Sequence, residues 1–281
     1  MVFICFIGQT KGDTMIDIST YAGDWPFRSL PGATLNELSL RLRVEGIRSA
    51  LVSPIEGIFY DETQLANEKL FEEFSGFLSD RSEDALSLFP VAVLNPRLPN
   101  WRRNLVICHE KYKINAVKLY PNYHQYEICD SQSLSLLGLS GEMNLPVIIQ
   151  LRVQDVRAQN PIVKVPDVDA LKVIESAREM PETKMIIGGI KWGEAQSFAE
   201  HIIGLENLWI DISNIEYTNV LRRLIRVYGI RQLPFGTHAP FFVIRSAILK
   251  LKEAELDDNE LDAITKNNAC LVFNIPKGQK R

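Results

Sequence analysis

The residues of this chain that could do chemistry sit at the ends of short apolar runs. His238 stands in Phe235-Gly-Thr-His-Ala-Pro240. Imidazole titrates near neutrality, so His238 is the candidate catalytic residue, a general base for water. Lys118, in Ala116-Val-Lys-Leu-Tyr-Pro121, and Arg152, just past Leu145-Pro-Val-Ile-Ile-Gln150, are candidate carboxylate binders. The first is a point charge and the second a bidentate fork. Tyr21 and Gln150 could supply hydrogen bonds to a developing oxyanion, and Tyr120 lies two positions beyond Lys118. Arg28 and Arg157 could extend the anion-binding set, or could be surface charges in loop salt bridges. His124, with Tyr123 and Tyr126, could wall a pocket or simply pack in an ordered loop. The cysteines (Cys5, Cys108, Cys129, Cys270) are scattered without a CxxC pair and read as reduced thiols.

These residues need elements to position them. Strand candidates are Met15–Tyr21, Ile47–Ser53, Leu86–Leu94, Ala116–Tyr120, Pro146–Arg152, Lys184–Ile190, Leu208–Ser213 and Leu233–Thr237. Most are short and apolar on both faces, as expected of parallel strands covered by helices. Helical patterns fall at Thr34 onward, Asn67–Leu78, Leu134–Met143, Val168–Glu179, Ala195–Ile203, Val220–Val227 and Val243–Leu251. A last helix spans Asn259–Asn267. Thr34-Leu-Asn-Glu37 has capping-box spacing. The alternation predicts a single (β/α)8 TIM barrel with a C-terminal extra helix. A doubly wound sheet fits less well, because no glycine-rich turn follows the first strand.

Residues 15–281 then form one barrel domain, and residues 1–14 read as an N-terminal extension ahead of Met15, with Met15 as the alternative start. Barrel sites lie at the carboxyl ends of the strands. There, polar residues two apart share a direction: Asp17, Ser19 and Tyr21; Lys118 and Tyr120; Gln150 and Arg152; Asp211 and Ser213. The pattern points to a polar pocket. The long connection 153–166 after the fifth strand suits a lid or a binding loop.

Composition removes other classes. The charge sum is 31 minus 35, or −4, and 46% of the 281 residues are hydrophobic. That apolar content excludes disorder, and the mild acidity gives no electrostatic case for binding nucleic acid. No apolar run reaches the ~20 residues that span a bilayer. A cytoplasmic protein acting on a small anion is the expectation, and self-association into a homo-oligomer is compatible with it.

Several motifs resemble the amidohydrolase-related family of barrel hydrolases and decarboxylases. They are Met15-Ile-Asp-Ile-Ser-Thr-Tyr-Ala-Gly23, Ala116–Pro121, Leu145–Gln150, Phe235–Pro240 and Asn268-Ala-Cys-Leu-Val-Phe273. The resemblance implies a TIM barrel acting on small substrates. It also implies a His-x-His pair on the first strand, histidines ending the fifth and sixth, and an aspartate after the eighth, which hold a divalent metal. At those positions this chain has Ser19 and Tyr21, Gln150, a glycine near Gly188, and His238. Catalytic zinc needs about three protein ligands, so the expectation is that no metal and no other cofactor is used.

Two functions follow. One is a metal-independent hydrolase of a lactone, ester or amide, for which metal-free lactonases of the wider superfamily are a precedent. Here His238 activates water, Lys118 and Arg152 hold carboxylate, and Tyr21 and Gln150 meet the oxyanion. The other is a catalytically inactive barrel binding a small anion or a protein. A metal enzyme built on Asp17, His238 and His124 is not forbidden by chain position, nor favoured by it.

Overall fold

The computed structural model describes residues 15–60, 62–77 and 86–275. The expected extension over 1–14 lies outside them. Seven strands form one parallel sheet in chain order: β1 (Met15–Ala22), β2 (Ile47–Pro54), β3 (Ser87–Val93), β4 (Ala116–Leu119), β5 (Val147–Gln150), β6 (Met185–Gly188) and β7 (Leu208–Ile210). Helices α1 (Leu35–Val44), α2 (Thr63–Phe77), α3 (Trp101–Glu110), α4 (Ser131–Glu142) and α5 (Ala170–Glu179) follow the first five strands in turn. Then come α6 (Trp192–Ser197), α7 (Ala199–Ile202), α8 (Val220–Tyr228) and α9 (Ile244–Glu253). The last helical stretch runs from Asp258 to Phe273 through a π turn at Ala263–Asn267.

Local sequence explains the helix starts. Thr34 Oγ1 accepts from the Glu37 N–H at 3.3 Å, Asp130 from Ser133 at 2.7 Å and Asp169 from Leu171 at 2.9 Å. Each satisfies an amide that the helix itself leaves unpaired. The sequence pattern missed α3, whose apolar stripe is narrow: Trp101, Leu105 and Cys108 are buried, with two arginines and an asparagine between them. The single helix expected over Ala195–Ile203 divides into α6 and α7 at Phe198.

The expected eighth strand, Leu233–Thr237, does not form as a regular strand. Pro234 has no N–H to give, and the Phe235 N–H donates to Ile264 O at 3.0 Å. The segment still lies between the two edge strands. Ile210 N–H donates to Gln232 O at 2.8 Å, Ile18 N–H to Phe235 O at 3.0 Å and Tyr21 N–H to Ala239 O at 2.8 Å. The fold is therefore α/β and TIM-barrel-like, seven strands and one irregular stave. Among the described residues no helix is long and apolar enough to cross a membrane.

The sheet has two faces. Val117, Leu119, Ile149, Ile187 and Ile210 pack under the helices. On the inner face, Ile18, Leu51, Val91, Ala116, Ile148, Ile186 and Trp209 cluster with Val272 and Phe273 of the last helix. Two residues further along three strands the interior turns polar, at Lys118, Gln150 and Asp211, all buried. Above them lies a mainly aromatic cluster including Tyr21, Trp25, Tyr120 and Phe241. β1 departs from simple alternation. A register shift between Asp17 and Thr20 places Ile18 in the apolar cluster and Tyr21 in the upper one.

Candidate functional site

Lys118 lies at the centre of the polar layer, 1% exposed, with its Nζ 3.9 Å from the centroid of the Tyr21 ring. Among the described residues no carboxylate approaches within 4 Å of it. Burial pushes its pKa down to about 7, against the weaker pull of Asp211 and Asp17.

Asp17 and Asp211 flank it. Asp17 accepts from the Ser19 N–H at 3.0 Å, the Thr237 N–H at 3.0 Å and the Thr237 hydroxyl at 2.5 Å. Asp211 accepts from the Ser213 N–H at 2.9 Å and the Ser213 hydroxyl at 2.8 Å. Burial raises both carboxyls, Asp17 to about 7, while the hydrogen bonds pull the other way. Gly236 permits this crowding, because a Cβ there would stand 2.4 Å from Asp211 Oδ1.

Tyr21, Gln150 and His238 form one chain of contacts. His238 Nε2 lies 2.6 Å from Val153 O, which can only accept, so Nε2 carries the proton and Nδ1 is an acceptor. The Tyr21 hydroxyl is 3.1 Å from His238 Nδ1 and 3.1 Å from Gln150 Oε1. Gln150 is oriented by its own Nε2, which donates to Arg152 O at 2.7 Å. The single Tyr21 proton therefore faces two acceptors. Burial, then the Lys118 charge, push the His238 pKa down to about 3, so the imidazole is neutral at pH 7.

The remaining expected residues are dispersed. Arg152 is buried, but its guanidinium meets Glu194 at 2.5 and 2.7 Å and Gly189 O at 2.5 Å, and its Nε stands 2.9 Å from Asp167. It ties the end of β5 to α6 and presents no free fork to a carboxylate. Arg157 is exposed and pairs with Asp155 at 2.8 Å. Arg28 is also exposed. His124 Nε2 bonds Gly57 O at 3.0 Å, joining the loops after β2 and β4. Tyr120 is buried beside the polar layer, with its hydroxyl toward Ser53.

The polar layer is closed from above. Trp25 packs edge-on to Phe241 (4.9 Å between centroids), tilted on Phe59 (5.0 Å) and against Phe27 (5.6 Å). Phe241 in turn meets Tyr21 at 5.2 Å and His238 at 5.6 Å. Outside this cap, Phe59 and Tyr123 help line an open groove of about 530 Å³ between the β4 loop and Val163–Pro166. The sequence reading passed over the cap, although its signal was available: aromatic residues cluster just past the first, second and eighth barrel staves. The spacing along the strands placed Asp17, Ser19 and Asp211 in the polar pocket, but it offered no signal for Thr237.

The interior donors do not fit a catalytic divalent cation. Among the described residues no three His, Cys, Asp or Glu side chains converge. An amine (Lys118), a phenol (Tyr21) and an amide (Gln150) are buried in the same layer as Asp17 and Asp211.

No family model and no curated protein matches the chain. Solved structures match nearly end to end. They include 5-carboxyvanillate decarboxylase from Sphingomonas paucimobilis (TM-score 0.71, 12% identity, 94% of this chain and 99% of that one). A putative amidohydrolase from Staphylococcus aureus matches with TM-score 0.70 and 12% identity, over 94% and 100%. A probable 2-pyrone-4,6-dicarboxylic acid hydrolase from Acinetobacter baumannii, with citric acid bound, matches with TM-score 0.65 and 12% identity, over 94% and 100%. At such identities the likeness is one of fold.

Proposed function

We propose that this chain is an amidohydrolase-like barrel that hydrolyses a small anionic ester or lactone in the buried polar layer, without a divalent metal. The observation that carries the reading is Lys118, an amine held inside the barrel at the carboxyl end of β4 with no carboxylate within 4 Å among the described residues. An anion supplies the partner that this cation lacks, and its arrival favours the ammonium form. Two buried hydroxyls support the same conclusion. Ser19 Oγ and Tyr120 OH have no partner of hydrogen-bond geometry, although Ser19 leans toward Tyr21 and Asp211. Carboxylate or carbonyl oxygens would accept from both.

In this reading His238 acts through Tyr21. The attacking water gives its proton to the Tyr21 oxygen as the Tyr21 proton passes to His238 Nδ1. Val153 O keeps the imidazole in the tautomer that can receive it. Gln150 and Lys118 steady the oxygen on which charge develops. A lactone suits such a site, since its carbonyl is more reactive than an amide's. The hydrolases and decarboxylases that share the fold lend general support.

A second reading, an inactive anion-binding barrel, is favoured by the closure of the layer: Lys118, Asp17, Asp211, Gln150, Tyr21 and His238 are all at most 1% exposed. Thermal shift with small carboxylates, run beside a lactone and ester panel, separates the two. Stabilisation with turnover, both lost in Lys118→Met, is the expected result. Stabilisation without turnover selects the inactive barrel, and neither effect overturns both readings.

A further inference from the structure

We infer that Lys118 is a carbon-bonding nucleophile, forming an imine with the carbonyl of a small 2-oxo acid. The inference rests on the reading of the polar layer as an anion site and adds a covalent step to it.

Three features of the geometry lead there. First, the amine is 1% exposed and lies on the face of Tyr21, with no carboxylate within 4 Å among the described residues. A structural buried lysine is ordinarily paired, as Lys250 is here, donating to Ile212 O at 2.9 Å and meeting Glu216 at 3.2 Å. Among the described residues no carboxylate or carbonyl holds Lys118 in this way, so its neutral form can present a lone pair. Second, a proton carrier stands beside it, since the Tyr21 hydroxyl at one end of the same ring leads to His238 Nδ1. Third, the hydroxyls of Ser19 and Tyr120, which lean toward Asp211 and Ser53 without meeting any partner at hydrogen-bond geometry, offer donors for a carboxylate next to the carbonyl.

Burial brings the Lys118 pKa to about 7. Its free-amine fraction at neutral pH then exceeds that of an ordinary lysine by about a thousandfold.

The step balances without a further reagent. The neutral amine attacks the carbonyl carbon, forming the C–N bond. The oxygen takes a proton from Tyr21, and nitrogen returns one to Tyr21 as the carbinolamine forms. The C–O bond then breaks, and oxygen departs as water with a second proton, the one that the ammonium released to the Tyr21–His238 pair on becoming the neutral amine. Ammonium and ketone together thus give protonated imine and water. The protonated imine keeps the positive charge beside the carboxylate, so the charge balance of the anion site survives the bond.

The test uses the full chain with pyruvate as probe and cyanoborohydride to trap the imine, read by intact mass and peptide mapping. One reduced adduct per chain on Lys118, formed before any on exposed lysines and absent from Lys118→Met and Lys118→Arg, is expected. Adducts spread over surface lysines, or none, overturn the inference. If pyruvate and acetate both stabilise the fold while no adduct forms, the covalent step alone fails. If there is neither stabilisation nor adduct, the anion site fails with it. Circular dichroism of both variants checks that loss of labelling is not loss of fold.

Discussion

The two ends of the barrel interior are built on the same strands and do opposite things. At the amino end, Ala116, Ile148 and Trp209 join Phe273 in an apolar plug. One step later, Lys118, Gln150 and Asp211 fill the same directions with polar groups. The plug gains from every buried methylene. The polar layer gains only where hydrogen bonds and charges are matched, and at Lys118 they are not. Stability and chemistry are thus separated by two residues along each strand.

Substitutions can break or sharpen this contrast. Phe273→Ala should cost about 3–5 kcal/mol, because it opens a cavity in a closed plug. Urea denaturation reads this as a lower midpoint at unchanged slope. Asp17→Ala should cost less, about 2–3 kcal/mol, since it strands two N–H groups and a hydroxyl. A cost equal to that of Phe273→Ala would erase the contrast.

Lys118→Met should reverse the sign at neutral pH, leaving stability unchanged or raising it by roughly 1 kcal/mol. Its pH dependence is the sharper measure. Between about pH 7 and the ordinary lysine pKa of 10.5, unfolded chains hold a proton that the folded protein has lost. Wild-type stability therefore rises with pH there, by up to ~1.4 kcal/mol per unit, and the rise should be missing from the variant. Asp17 works oppositely. With its folded pKa near 7 and its ordinary value 3.8, it makes stability fall as pH rises between them, and Asp17→Asn should remove that fall. The smallest effect belongs to Arg157→Ala: an exposed side chain paired to its own loop should change neither the denaturation midpoint nor anion binding.

Much of the architecture was legible. Alternating apolar runs located all seven strands, and the capping residue Thr34 marks a true helix start. The pattern failed where backbone chemistry overrides side-chain type. Pro234 spoils the eighth ladder, while Asp17, Ser19 and Tyr21 meet in the polar layer as their spacing suggested, despite the register shift in β1. At the site, strand position brought Tyr21, Lys118, Tyr120, Gln150 and His238 together. It could not show that Arg152 is already spent on Glu194 and Asp167, because one partner comes from α6 and the other from the connection after β5. The aromatic cap was legible as aromatic residues just past three staves, but it assembles from three separate connections and was passed over.

The bonds from Ile18 and Tyr21 to residues 235 and 239 also bear on how the protein is made. The first strand leaves the ribosome with one edge bare, and it stays bare until residues 235 to 239 have been translated. A nascent chain stalled before Gln232 presents those amides to any neighbouring polypeptide, as an unprotected strand edge does. Biogenesis therefore places a long-lasting demand for chaperoning on β1, which waits roughly 210 residues for its partner.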